Sequence, residues 1–533
     1  MPTSSRRRRS DRLLTTVTAA NVATARRAEW LGGLIGSLWL LAFWWYAEPR
    51  VHPWIDEIFT ALTARQGVMG AFSHALTYQS QPPLYYVMAA IAWACDPSVR
   101  AVRAVSLLGA LVCVWAVIPL ARQLRLGAAG GLLAAATAGL PIVQAYAIEA
   151  RPYTWSMALL VCYVTALLGL MRAEQQKPHA WIWGAVVISA TAAMLNFYYT
   201  GLVVALGLIS AFVGWPGRRR RVVTAGAAMA ALMLPWVPTI QRQLGVIAEN
   251  YHSLPRATDG GSNWSEAGKI VQGGLIGAPI GERSSFVLVI LTGLLILSWR
   301  TAMQWKPATD EASAHARRIA PDNASLLLLI TVGPGSVLVL LGIRFAEALM
   351  VLPRYATMTV PLLAAALFAL VQRENRKGIR RLYWAGIVLT LASLQLSAGR
   401  NRDSRADYRP AAAFLEVQVA STERILIGNF HNTLLFLDVY RGPGHVVPLP
   451  VDTNTVRYRI VDDEARDPAR VGARIDSTVQ SLSGFWWVRV PPPTMGIART
   501  DSILRAHAGA FEVVADTLIA PLQITHFVRR RER

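Results

Sequence analysis

Uninterrupted apolar runs of about 15 to 22 residues recur from Trp30 to Leu396, close to the length a helix needs to cross the hydrocarbon core of a bilayer. Such runs leave few folds open, because in lipid only a helix satisfies every backbone N–H and C=O within one segment. With 53% hydrophobic and 16% charged residues in a chain of 533, the protein is too apolar to be soluble at this size. The reading is a polytopic α-helical membrane protein. Spans are expected near 30–46, 101–121, 127–143, 153–171, 180–195, 198–214, 222–238, 285–299, 324–342, 355–371 and 382–396, about eleven in all.

The formal charge of +21 sits mostly in short blocks between apolar runs, such as Arg6 to Arg9 and Arg218 to Arg221. That distribution argues against a nucleic-acid partner and marks cytoplasmic loops instead. The run from Trp30 lacks a small-residue cleavage site, so residues 1–29 read as a basic cytoplasmic tail ahead of an uncleaved first helix. Pro82 to Cys95 is short for a span, and counting it as one would move Arg218 to Arg221 outside. It is therefore expected in the outer interface or as a re-entrant helix. Cys95, Cys113 and Cys162 are isolated, without metal-ligand spacing, and no disulfide framework is expected.

After Leu396 the pattern changes to short β-rich runs at Arg424–Ile427, Val446–Leu449, Phe485–Val490, Glu512–Leu518 and Ile524–Val528. Polar helical stretches fit near 407–420, 430–440, 467–482 and 499–508. Residues 397–533 are thus expected to form a small α/β domain, placed outside by the count of crossings. Residues 30–396 form the membrane domain, in a plasma membrane, with the active-site loops on the extracytoplasmic side.

Charged and hydrogen-bonding residues gather on that side. His52-Pro53-Trp54-Ile55-Asp56-Glu57 follows the first span, and ionisable groups this near lipid are costly and usually functional. Gln81-Pro82-Pro83-Leu84-Tyr85-Tyr86 stops a helix and offers amide and phenol groups. Glu149-Ala150-Arg151-Pro152-Tyr153 puts an acid and a base at the membrane surface, with proline opening the next helix. Pro353-Arg354-Tyr355 supplies an arginine able to hold a phosphate by paired hydrogen bonds. Each has a plainer reading beside it. The acids could cap a helix over Ile58 to Arg65, Glu149 could pair with Arg151, Arg354 could snorkel, and the tyrosines could belong to an interfacial belt. The polar loop 242–283, with Gly260-Gly261, is a candidate lid.

In their order and sidedness, these elements resemble the GT-C superfamily of polytopic glycosyltransferases. The closest resemblance is to bacterial members of glycosyltransferase family 39, related to protein O-mannosyltransferases and aminoarabinose transferases. It covers about 30–396, and Asp407-Tyr408-Arg409 is similar to the opening of domains appended to such enzymes. Gln81 stands where relatives often carry Lys or His. The resemblance implies inverting transfer of a sugar from a polyprenyl-phosphate donor to an acceptor hydroxyl on the outer face, the acceptor being protein, lipid or glycan. It implies Asp56 as general base, and Glu57 and Glu149 orienting the acceptor or stabilising the sugar cation. Arg354 and Arg151 would meet the departing phosphate, with Tyr153, Tyr355, Gln81 and Tyr85 as further substrate contacts. No cofactor follows from it: family members differ in metal use, and two acids in separate loops do not make a metal site. The competing class is a transporter or lipid flippase of the envelope glycan pathway, which would use midplane polar groups and internal repeats. No such repeat is found.

Overall fold

A computed structural model describes residues 4–77, 81–173, 179–243, 245, 323–345, 353–374, 377–378, 380–382, 384–386, 407–428, 430–449, 477, 479–489, 508–519 and 522–530. The first helix, α1 (Ser4–Ala47), is followed by three short ones, α2 (Ile55–Ala64), α3 (Gly67–Thr77) and α4 (Leu84–Cys95). Long helices then alternate in direction. They are α5 (Val99–Gln123), the pair α6 (Ala129–Gly139) and α7 (Pro141–Ala147), α8 (Tyr153–Arg172), α9 (Ala180–Asn196), α10 (Thr200–Gly214) and α11 (Arg219–Met233). Beyond them come α12 (Asn323–Ile330), α13 (Ser336–Phe345), α14 (Pro353–Ala356) and α15 (Val360–Arg373).

Local chemistry sets these boundaries. The Ser98 hydroxyl accepts the Ala101 N–H at 3.2 Å and caps α5. Pro141, which has no N–H to donate, coincides with a 55° bend between α6 and α7. Around Pro334 the chain winds as a π-helical segment, Thr331–Gly335, between α12 and α13.

Ion pairs identify the two ends of the bundle. At one end Glu48, after α1, pairs with Arg100 at 3.5 Å and Arg103 at 3.3 Å on α5. The chain from Glu48 to Arg100 therefore starts and finishes at the same place, and α2, α3 and α4 form a cap there rather than an added crossing. At the other end Arg122 pairs with Glu29 at 2.7 Å, Arg172 donates to Ser325 at 2.8 Å, and Arg221 donates to the Leu170 and Ala173 carbonyls at 2.8 and 3.0 Å.

Six described helices are long and apolar enough to cross a membrane, or seven with α6 and α7 as one bent span, so the chain is a multi-pass membrane protein. The expected count of about eleven is not reached among the described residues. The α9 and α10 helices are apolar but have only 17 and 15 residues. The expected span at 285–299, most of that at 382–396, nearly all of the candidate lid and most of helices 467–482 and 499–508 lie outside the described residues.

Five strands form one sheet in the order β2-β1-β3-β5-β4: β1 (Arg424–Gly428), β2 (His445–Leu449), β3 (Gly484–Arg489), β4 (Phe511–Ile519) and β5 (Leu522–Arg529). Strand β1 runs parallel to β2 and β3, whereas β5 runs antiparallel to β3 and β4. The period of two sends Ile425, Ile427, Trp486 and Val488 to one face, against Ala411, Ala412 and Leu415 of α16 (Arg409–Gln418) and Phe436 of α17 (Phe430–Val439). Leu426, Phe485 and Trp487 line the other face with Phe511. Glu423, just before β1, accepts hydrogen bonds from the Ala420 N–H at 2.9 Å and the Trp486 indole at 3.0 Å, and pairs with His526 at 2.9 Å. Burial alone would raise its pKa, but these donors and the His526 charge outweigh burial and hold it below the usual carboxylate value. Helix α17 packs on α2, so the sheet lies at the end of the bundle marked by Glu48.

Two stability predictions follow from this packing. A Cβ on Gly131 of α6 would lie 2.0 Å from the Ala28 carbonyl oxygen, and one on Gly32 of α1 would lie 2.0 Å from that of Gly131. Gly131→Val is expected to cost about 3 kcal/mol, the upper part of the overpacking range, read as a lower thermal midpoint in detergent. Gly184→Ala, with nothing within 4 Å, should leave the midpoint unchanged or slightly raised. For Glu423, the depressed native pKa contributes stability above the unfolded value that is lost as pH falls through the native one. Acid unfolding of the sheet, followed by tryptophan fluorescence below about pH 5, should lose part of its pH dependence in Glu423→Gln.

Candidate active site

The segment Glu48 to Glu57 is folded around one arginine. Arg103 of α5, 3% exposed, donates from Nε to Glu57 Oε1 at 2.8 Å and from Nη2 to Oε2 at 3.0 Å. Its Nη1 reaches the Val51 carbonyl at 2.9 Å and both the carbonyl and the carboxylate of Glu48, at 3.2 and 3.3 Å. Glu57 also accepts the Trp54 N–H at 3.1 Å, which closes the first turn of α2, and the Ala150 N–H at 2.9 Å. The pair therefore joins the end of α1, the start of α2, α5 and the loop between α7 and α8.

That loop is fixed from two further sides. The Ser106 hydroxyl donates to the Arg151 carbonyl at 3.1 Å and receives the Tyr85 hydroxyl at 2.7 Å. The Asn196 amide donates to the Pro152 carbonyl at 2.8 Å. With the backbone held, Glu149 and Arg151 meet the start of α2 at Trp54 and Asp56, and Tyr153 packs between Tyr146 and Phe197.

Asp56 immediately precedes Glu57 on α2, but its carboxylate faces a different set of groups. Its Oδ2 lies 3.3 Å from Arg354 Nη1 and 3.6 Å from Arg151 Nη2, and neither approach has hydrogen-bond geometry. Among the described residues Asp56 Oδ2, Arg151 Nε, Arg354 Nε and the Tyr153 hydroxyl are all buried without a hydrogen-bond partner. Buried polar atoms normally find partners, and open ones on two arginines, an aspartate and a tyrosine suit an anionic ligand with hydroxyl groups. Around them stand Trp54, whose indole donates to Glu149 Oε1 at 3.1 Å, Tyr86, whose hydroxyl receives Arg151 Nη1 at 3.5 Å, and an aromatic cluster. In that cluster Tyr153 lies 4.4 Å from Tyr146 and 5.7 Å from Phe197, and Tyr355 lies 4.4 Å from Tyr199, centroid to centroid.

Six residues expected from the sequence thus come together: Asp56, Glu149, Arg151, Tyr153, Arg354 and Tyr355. Glu57 stands beside them with both carboxylate oxygens occupied. The Tyr85 hydroxyl turns to α5, where it anchors Ser106. Gln81 meets the last turn of α3 through its backbone N–H, 3.2 Å from the Ala75 carbonyl, and among the described residues its side chain makes no hydrogen bond to the cluster. The sequence reading does not single out Arg103, although a lone arginine inside an apolar run is a signal by cost alone. Trp54 and Tyr146 carry no such signal, since interfacial aromatics are common. No three His, Cys, Asp or Glu side chains gather among the described residues as a metal site needs.

The sheet reaches this end through His52, whose Nε2 is 3.0 Å from Asp407 Oδ1. Burial pushes His52 below its ordinary value against the pull of Asp407. Burial alone would raise Asp407, but its hydrogen bonds from Arg409 and the His52 charge hold it low. On α17, burial raises Asp438 despite the charges of Arg441 and Arg103. Arg103→Met would strand the Glu57 carboxylate and should cost about 3–5 kcal/mol. Thermal melts should show part of that loss recovered when Glu57→Gln is added.

No family model and no curated protein matches the chain, but solved structures share its fold. ArnT from Cupriavidus metallidurans in the apo state superposes with a TM-score of 0.55 at 14% identity, over 91% of this chain and 96% of that one. The same protein bound to undecaprenyl phosphate gives 0.52 at 14% identity, over 92% and 97%. The archaeal oligosaccharyltransferase AglB from Archaeoglobus fulgidus, in complex with an inhibitory peptide and a dolichol-phosphate, matches at 0.46 and 11% identity over 87% and 69%. At such identities the likeness to ArnT, an aminoarabinose transferase, is one of fold, and that fold is GT-C.

Proposed function

We propose that this chain is an inverting glycosyltransferase that moves a sugar from a polyprenyl-phosphate donor to an acceptor hydroxyl on the outer face of the plasma membrane. The observation that carries the reading is the buried Asp56 carboxylate set against the Arg151 and Arg354 guanidiniums, with open polar atoms on all three. The GT-C fold supports it, as does the undecaprenyl phosphate bound by ArnT on that fold. The charges lie at one end of the bundle, where a lipid carrier can present a headgroup, and not at mid-span as a transport pathway would require.

The site acts in this reading by exchange of partners. In the free protein the two arginines neutralise Asp56. A donor phosphate offers them two oxygens and better bidentate geometry, and as they turn to it Asp56 is released to accept a hydrogen bond from the acceptor hydroxyl. The acceptor oxygen attacks the anomeric carbon from the face opposite the phosphate, and its proton passes to Asp56. The bond from the anomeric carbon to the phosphate oxygen breaks, and polyprenyl phosphate leaves with the electron pair, its charge met by Arg151 and Arg354. Glu149 orients the acceptor or the sugar, Tyr153 and Tyr355 line the sugar, and Glu57 acts through Arg103 to fix Asp56. Gln81 and Tyr85 lie at the margin of the site. In this reading residues 1–29 are cytoplasmic, 30–396 form the catalytic membrane domain, and 397–533 form an extracytoplasmic α/β domain that helps cover the site.

The test is transfer of radiolabelled sugar from a panel of polyprenyl-phosphate sugars to endogenous acceptors in membrane vesicles of both orientations. Asp56→Asn should lower turnover by about 10²- to 10⁴-fold while undecaprenyl phosphate still binds, and Arg354→Ala should weaken that binding. Transfer by wild type that is unchanged in Asp56→Asn, or that proceeds from the inner face, would sink the reading.

A further inference from the structure

Trp54 touches each part of the site with a different group. Its backbone N–H donates to Glu57 at 3.1 Å, its indole N–H donates to Glu149 at 3.1 Å, and its ring lies under the Arg354 guanidinium, with Cζ 5.3 Å from the ring centroid. An interfacial tryptophan anchoring a helix in lipid would turn its indole outward. This one is only partly exposed and bonds a carboxylate 95 residues away in sequence.

Building on the proposed function, we infer that Trp54 is a positioning residue: the platform on which Arg354 turns between Asp56 and the carrier phosphate. The partner exchange needs Arg354 to leave one anion and reach another without falling back into a free rotamer ensemble, and arginine carries a large side-chain entropy to lose. A cation–π contact fits this task because it holds the guanidinium plane against the ring while leaving its N–H groups free to change partner. The hydrogen bond to Glu149 fixes the tilt of the ring. The contact is present with Arg354 on Asp56, and a phosphate beside Asp56 is reached by rotation over the same ring.

The experiment is a binding cycle on the full chain in detergent, with undecaprenyl phosphate as probe. Trp54→Leu should weaken binding about 3- to 30-fold, the range of a partly desolvated cation–π contact. Trp54→Phe, which keeps a π face, should remain within about threefold of wild type. In the Arg354→Ala background, Trp54→Leu should change binding by less than about twofold, because its effect passes through the arginine. Trp54→Met, run in parallel, gives the same reading if the leucine variant does not fold. The inference is overturned if Trp54→Leu and Trp54→Met bind as wild type does, or if their loss persists in full without Arg354, as a general packing defect would make it. Should Arg354→Ala itself bind as tightly as wild type, the phosphate role of Arg354 fails, and the proposed function loses its carrier site along with this inference.

Discussion

The buried pair Glu57–Arg103 is the constraint around which this end of the molecule is organised. Charges of both signs are costly to bury and hold only when each polar atom finds a partner. Arg103 meets that demand with three groups from the stretch between α1 and α2, and Glu57 with two backbone N–H groups, one of them from the loop before α8. The requirement for saturation draws four separate pieces of chain together and leaves little freedom in how α2 is placed.

The same arrangement separates two adjacent acids. Neighbouring residues on a helix point about 100° apart, so while Glu57 turns into the Arg103 cage, Asp56 turns toward Arg151 and Arg354. One carboxylate is fully engaged, and the other keeps a buried oxygen without a hydrogen bond. The arginines divide likewise, Arg103 saturated and the other two with Nε open. Saturated groups set geometry, and unsaturated ones are available to a ligand. This distinction, rather than charge or burial alone, separates scaffold from site in this cluster.

The sheet belongs to the same end. Helix α17 lies on α2, and His52, four residues before Asp56, pairs with Asp407 at the start of the C-terminal fold. The loop that carries Trp54 is thereby held between the membrane helices on one side and the sheet on the other. The likeness to ArnT covers 91% of this chain.

The sequence alone determined that the chain crosses a membrane repeatedly, because apolar runs of bilayer length have one backbone solution. It also determined where most helices begin and where the five strands lie, since proline positions, caps and the period of two are local signals. The motifs holding Asp56, Glu149, Arg151, Tyr153, Arg354 and Tyr355 were legible as costly charges and aromatics at span ends. Tertiary structure alone decided that these residues meet, that Glu57 faces Arg103 instead of the open site, that the Tyr85 hydroxyl anchors Ser106, and that Trp54 links Glu149 to Arg354. Those outcomes depend on which helix faces which, and on which polar atoms are used up in burial, and neither is written in the spacing of residues along the chain.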